Sequence, residues 1–238
     1  QLGTFVETLV TNEASVVKLA AASPLRAAAL ISCGIATGFG SVVDRAMARP
    51  GEIVVVVGCG GVGSGALQGA RLAGARAIVA VDPIPFKVDQ AKKIGATHGV
   101  ASMEEAVALV GEISRGQMAD VVVLTPGTLT GDLIGQACPL GSKDARIVCT
   151  AIAPMSQTHV SLNLFNLAMF NQTLMGTVFG SVSPRVQIPK LLALYQAGQL
   201  EIDELITKEY ALDQVQEGYD DLHAGRNVRG LVNMGVDS

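Results

Sequence analysis

The stretch Ile53-Val54-Val55-Val56-Val57-Gly58-Cys59-Gly60-Gly61-Val62-Gly63 runs five β-branched residues straight into a glycine-rich turn. A continuous apolar run of this length is the pattern of a parallel strand buried on both faces. After the turn, Val62, Ala66, Ala70 and Ala73 recur at helical spacing as far as Gly74, which sets the turn at a helix N-terminus. The unpaired N–H groups and dipole there attract anions, and a dinucleotide pyrophosphate suits them. In such a loop Gly58 permits the tight turn, Gly60 and Gly61 keep the backbone open to phosphate, and Gly63 lets the helix lie against the strand. The alternative is an ordinary glycine-containing turn.

A second β-branched run, Ala77-Ile78-Val79-Ala80-Val81, ends in Asp82. An acid about 20 residues past the loop can accept hydrogen bonds from both hydroxyls of an adenosine ribose and disfavours a 2′-phosphate. The expected cofactor is therefore NAD rather than NADP. The competing role for Asp82 is a turn residue before Pro83.

The 238 residues are 49% apolar and only 16% charged, with 27 glycines. That composition suits a buried parallel sheet joined by tight connections. A net charge of -4 gives no basic field for nucleic acid or anionic lipid, so neither partner is expected. No apolar run approaches the roughly 18 residues that span a bilayer, and Glu7 and Glu13 are unlike a signal peptide, so a cytoplasmic location is expected. Cys33, Cys59, Cys138 and Cys149 lack CxxC spacing and read as reduced thiols.

In chain order, residues 2–19 hold short β-type runs, Thr4-Phe5-Val6 and Ser15-Val16-Val17. Ser23-Pro24 caps a helix to about Ile31, and a second helix runs from about Thr37 to Arg49-Pro50-Gly51. Beyond Asp82 a helix carries Phe86, Val88 and Ala91 on its apolar side. Ser102-Met103-Glu104-Glu105 has capping-box spacing. Strands follow at 120–124 and 145–151, with a helix at 129–138 between them. Residues 174–179 read as the last strand. A helix over 184–197 turns Leu191, Leu192 and Tyr195 inward, and a β-α-β segment closes the chain at 206–210, 213–223 and 229–234. This alternation predicts a doubly wound parallel α/β sheet.

Several phrases together resemble the zinc-dependent medium-chain alcohol dehydrogenases. They are Gly3-Thr4-Phe5-Val6-Glu7, Ser32-Cys33-Gly34-Ile35-Ala36-Thr37-Gly38-Phe39-Gly40, the glycine turn, Val81-Asp82 with Lys87, Lys93-Ile94-Gly95-Ala96-Thr97, Gly176-Thr177-Val178-Phe179-Gly180, Gly218-Tyr219 and Asn227-Val228-Arg229-Gly230. Asp82-Pro83 with Phe86-Lys87, and 194–200, are similar to actinobacterial enzymes of the nitrosodimethylaniline-linked type, some of which keep their cofactor tightly bound. The resemblance implies a Rossmann cofactor domain at 34–179. Residues 1–33 and 180–238 would be parts of a GroES-like catalytic domain.

It also implies roles. Cys33 would be one ligand of a catalytic zinc, and Thr37 would contact the nicotinamide, on which Val62 presses. Lys87 would reach the adenosine ribose and Arg229 the pyrophosphate, while Phe179 belongs to the cofactor set. Thr125 and Ala151 sit at strand ends facing the crevice where open α/β sheets bind ligands. The remaining zinc ligands and the proton relay have no counterpart here, and His98, His159 and His223 fall outside the matching phrases.

The chain is thus expected to be the C-terminal two-thirds of an enzyme that interconverts alcohol and aldehyde with NAD and zinc. A cofactor-binding fragment and a dehydrogenase of thiol–formaldehyde adducts are the alternatives. A homodimer or homotetramer is expected through the edge strand near Leu174–Val178.

Overall fold

The computed structural model describes residues 4–234. Leu2, which opens the 2–19 stretch, and Gly3 of the Gly3–Glu7 phrase lie outside them. The chain divides into two compact units, Cys33–Ser183 and the pair Gln1–Ser32 with Pro184–Ser238.

The first helices differ from expectation. Helix α1 (Leu25–Leu30), wider π-type turns at Ile31–Ile35, α2 (Ala36–Gly40) and further π-type turns at Ser41–Arg45 follow without a break. Two short helices were expected. Glycines 34, 38 and 40 do not interrupt the run, and the missing side chains of Gly38 and Gly40 are used for packing. The whole run, Leu25–Arg45, is long and apolar enough to cross a membrane by length and composition, contrary to the expectation that no such stretch exists. Two-thirds of its most apolar 18 residues are buried inside the protein, as for the core helix of a globular fold. Ser23 does not cap it: the N-cap is Pro24, with no side-chain bond.

Within Cys33–Ser183 the strands β1 (Ile53–Val57), β2 (Ala77–Val81), β3 (His98–Val100), β4 (Ala119–Leu124), β5 (Gly141–Cys149) and β6 (Thr173–Gly176) form one parallel sheet in the order β3-β2-β1-β4-β5-β6. Helices α3 (Gly61–Leu72), α4 (Pro85–Lys93), α5 (Met103–Ile113), α6 (Gly131–Ala137) and α7 (Leu164–Met169) make the crossovers. All five residues of β1 are buried, and Ile53, Val55 and Val57 share a core with Val79, Ala106, Val110, Val122, Leu124 and Ile147. Strand order reverses between β1 and β4, and ligands of open sheets bind at the carboxyl ends beside such a switch point. The glycine turn follows β1 and Thr125 follows β4, so both stand there.

Local chemistry accounts for the boundaries. The Ser102 hydroxyl accepts from the Glu105 N–H at 3.2 Å and the Glu105 carboxylate accepts from the Ala101 N–H at 2.9 Å, which starts α5. Val88 and Ala91 of α4 are buried, whereas Phe86 is exposed rather than inward, because it falls on the first turn, outside the stripe that meets the sheet. Strand β6 ends at Gly176, not at 179, because its partner β5 ends at Cys149, the residue paired with Gly176.

In the second unit, residues 4–19 contain no strand among the described residues, only a short 3-10 turn at Glu13–Ser15. The β-type runs there have no neighbour to take their ladder bonds. Helix α8 (Pro184–Gln196) buries Leu191 and Leu192. Tyr195 instead turns its hydroxyl outward to donate to Asp203 at 2.8 Å. Strands β7 (Ile206–Ala211) and β8 (Arg229–Asn233) pair in parallel across helix α9 (Val215–His223).

Candidate functional site

The glycine turn has two kinds of glycine. Gly58 has φ +93°, its N–H donates to the Val81 carbonyl at 2.8 Å, and a Cβ on it would lie 2.6 Å from the Thr125 carbonyl oxygen. A Cβ on Gly63 would lie 1.9 Å from the Gly58 carbonyl oxygen. Both are glycines because the fold leaves no room. Gly60, the N-cap of α3, has φ -76° and nothing within 4 Å of a Cβ, so the protein itself makes no demand for glycine there. The open space lies against the N–H groups of Gly61, Val62 and Gly63, which have no helical carbonyl to serve. A pyrophosphate fits that cradle, and a side chain at residue 60 would fill it.

Asp82 is 5% exposed, and one carboxylate oxygen accepts from the Cys59 N–H at 2.8 Å while the other accepts from Ile84 N–H at 3.0 Å. The acid is thus fixed against the loop, and each oxygen keeps a lone pair for a further donor. Burial, seconded by the Asp82 charge, pushes the Cys59 thiol up to about 12, with Lys87 opposing. Cys59 is therefore a neutral, inert thiol at pH 7. Lys87 stands in the first turn of α4, which follows Asp82.

Thr125, read from the sequence as a strand-end residue facing the crevice, follows β4 and turns its hydroxyl to the glycine turn. It donates back to the Gly58 carbonyl at 2.6 Å, with the Val57 carbonyl at 3.0 Å, and so braces the turn. Ala151 follows β5, half-buried, its N–H donating to Leu124 at 3.1 Å. Val62 lies half-buried in the first turn of α3. Thr37 is half-buried on α2, and its carbonyl accepts from the Ser41 hydroxyl at 2.6 Å, which in turn accepts from Thr150 at 3.0 Å. Phe179 is 46% exposed with φ +50°.

The glycine turn, Asp82, Lys87, Thr37, Val62, Ala151 and Phe179 all belong to Cys33–Ser183. Arg229 opens β8 in the other unit, beside a pocket of about 150 Å³ that Tyr210, Tyr219 and Asn227 also line. Cys33 is exposed on a π-type turn, and among the described residues no group of three or more His, Cys, Asp or Glu is placed to hold a metal. These residues do not make a zinc site. Sequence reasoning missed Ser41 and Thr150, which fix Thr37, and the packing roles of Gly38 and Gly180. The glycine spacing within the helical run was the available signal for Gly38.

Residues 61–197 match the family described as zinc-binding dehydrogenase. The chain is 42% identical over 231 residues to alcohol dehydrogenase B of Mycobacterium tuberculosis, covering 97% of this chain and 62% of that protein. Identity is also 42% over 236 residues to an NDMA-dependent alcohol dehydrogenase of Amycolatopsis methanolica, covering 99% and 64%. Among solved structures, benzyl alcohol dehydrogenase from Acinetobacter calcoaceticus superposes with a TM-score of 0.85 at 29% identity, over 92% of this chain and 59% of that one. The chain spans about three-fifths of the length of the curated relatives it matches. By sequence and by fold alike, it belongs to the zinc-type medium-chain alcohol dehydrogenase family.

Proposed function

We propose that Cys33–Ser183 binds NAD, and that the whole protein uses it to interconvert an alcohol and its aldehyde. The observation that carries this is the open cradle at Gly60, glycine where the fold does not require it, beside a carboxylate fixed by the Cys59 N–H. The N–H groups of Gly61, Val62 and Gly63 would hold the pyrophosphate, and Asp82 would accept from the adenosine ribose, with Lys87 alongside. Thr37, Val62, Ala151 and Phe179 would line the nicotinamide end. Bound NAD supplies the ring that accepts or returns a hydride. The chain's part is to orient that ring and keep water from it.

Cys33 would be one zinc ligand in the whole enzyme. One thiolate cannot hold zinc tightly, and the other ligands that the resemblance implies belong to the share of the relatives' length that this chain does not span. The absence of a three-donor group among the described residues favours a second reading, a cofactor-binding portion without chemistry of its own. The edge strand β6 is unpaired on its outer side among the described residues, and it supports a homodimer formed by strand addition. Val178 lies beyond its ladder, so β6 itself would be the seam.

Calorimetric titration of the purified protein tests the cofactor reading. NAD is expected to bind at least about tenfold more tightly than NADP, roughly 1.4 kcal/mol, with Asp82→Ser narrowing the gap. Equal or tighter NADP binding would overturn it. Zinc content and alcohol-dependent reduction of NAD, assayed on the same sample, separate the two readings: turnover with about one zinc per chain removes the second. Sedimentation as a monomer would remove the β6 seam.

A further inference from the structure

Phe179, Gly180 and Ser181 have φ of +50°, +69° and +64°, three left-handed residues in succession. Isolated left-handed residues are ordinary in turns, whereas a run containing Phe and Ser persists only where its surroundings hold it. The hold is visible. The Ser181 N–H donates to the Val178 carbonyl at 2.9 Å, the Thr177 and Ser181 hydroxyls are 2.8 Å apart, and the Thr177 N–H donates to the end of β5 at Cys149.

The turn rests directly on α2, backbone against backbone. A Cβ on Gly180 would lie 2.7 Å from the Gly40 Cα, 2.8 Å from the Ala36 carbonyl oxygen and 3.0 Å from that of Thr37; a Cβ on Gly40 would lie 2.6 Å from the Gly180 carbonyl oxygen. One residue before the first of these glycines is Phe179. On its other face α2 meets α3 in the same manner: a Cβ on Gly38 would lie 1.8 Å from the Val62 carbonyl oxygen, and one on Gly65 would lie 2.5 Å from that of Ile35. Thr37, Val62 and Phe179, from three separate parts of the chain, are therefore fixed to one another through contacts that no side chain can relax.

We propose that Gly40 and Gly180 are positioning residues for the nicotinamide half of the cofactor. Their contact sets the distance from Phe179 to Thr37, while the adenosine half is held independently by the glycine turn and Asp82. The inference rests on the cofactor reading above. It predicts that loosening the contact separates the two halves of the ligand.

The test compares NAD with ADP-ribose, which carries the adenosine, the pyrophosphate and both riboses but no nicotinamide. Gly40→Ala attacks the contact from a residue with ordinary helical φ of -64°. Gly180→Ala attacks it from the other side, and Gly198→Ala is its control, since Gly198 has the same φ of +69° with nothing within 4 Å of a Cβ. Gly40→Ala and Gly180→Ala are each expected to weaken NAD by about tenfold and ADP-ribose by less than about twofold in calorimetry; Gly198→Ala should change neither. Equal weakening of both ligands, no weakening of NAD, or loss of the far-UV circular dichroism of both contact variants would overturn the proposal. Failure of the unsubstituted protein to bind either ligand would instead remove the cofactor reading, and this inference with it.

Discussion

The two units use the same alphabet of strand and helix but different cement. In Cys33–Ser183 the central strand is buried on both faces and helices approach one another and the sheet through glycine, down to distances at which a methyl group has no place. In the other unit β7 and β8 are half-exposed, and the joint between β7 and α9 is a charged hub. Asp221, 5% exposed, accepts from the Lys208 ammonium, the Tyr210 hydroxyl and the Arg226 guanidinium, each at 2.7 Å, and Asn227 donates to the same Tyr210 hydroxyl at 3.0 Å. A fit of backbones is insensitive to pH and intolerant of a methyl; a carboxylate hub is the reverse. The molecule carries its own reporter for the distinction: it has no tryptophan, and its three tyrosines, 195, 210 and 219, all lie in the hub's unit.

The largest effect is expected at Gly63. With a Cβ 1.9 Å from the Gly58 carbonyl oxygen, Gly63→Ala must displace the turn or α3, at a cost of about 3 kcal/mol or more. For a chain of this size that lowers the melting temperature by roughly 6–12 °C, read by far-UV circular dichroism. Gly60→Ala is the internal contrast, because its Cβ meets nothing; its stability should stay within about 0.5 kcal/mol while NAD binding weakens. If the two variants melted alike, backbone fit would not be what holds this unit.

A smaller loss is expected at Arg146, a charged joint within the apolar unit. Its guanidinium donates to Glu52 at 2.6 Å and to the carbonyls of Ala46 and Met47 at 2.8 and 3.0 Å, tying β5 to the chain leading into β1. Both charged side chains are 18% exposed. Arg146→Ala strands a half-buried carboxylate and two carbonyls, which costs about 2 kcal/mol once residual water access is allowed for. Arg146→Lys should recover only part, since an ammonium cannot serve three acceptors in a planar fork. Full recovery by lysine, measured as melting temperature, would show that charge alone suffices.

What the sequence disclosed follows the same division. The β-branched runs of β1, β2 and β4, the glycine turn, Asp82 and the Ser102 cap are local patterns, and each stands where its pattern placed it. The Gly40–Gly180 contact joins residues 140 positions apart in number, and no local periodicity carries it. Helical spacing alone also could not distinguish a glycine that ends a helix from one that seats it against a neighbour, which is why 25–45 reads as two helices. In the hub, Asp220 and Asp221 are adjacent and chemically identical; only the arrival of Lys208, Tyr210 and Arg226 selects the second. Thr125 shows the limit at the site itself, for its position at a strand end is legible but the direction of its hydroxyl is not.

The smallest effect is expected at the hub, because two of its three donors, Lys208 and Arg226, are themselves 45% and 61% exposed and are screened by water. Hydrogen bonds from Lys208, Tyr210 and Arg226 hold the Asp221 carboxyl well below the usual carboxylate range. A carboxyl depressed in the folded state contributes its full stability above its unfolded value, about 4, and loses it progressively as pH falls from there toward the folded value. Asp221→Asn keeps the shape and removes the titration. At pH 7 the variant should melt slightly below the unsubstituted protein when followed by tyrosine fluorescence, and the gap should close as pH is lowered from about 5 to about 2. Far-UV circular dichroism, dominated by the larger unit, should show less of it. A gap that stayed constant over that range would mean that Asp221 serves the hub as a hydrogen-bond acceptor and not as a charge, and the contrast between the two units would then be one of packing alone.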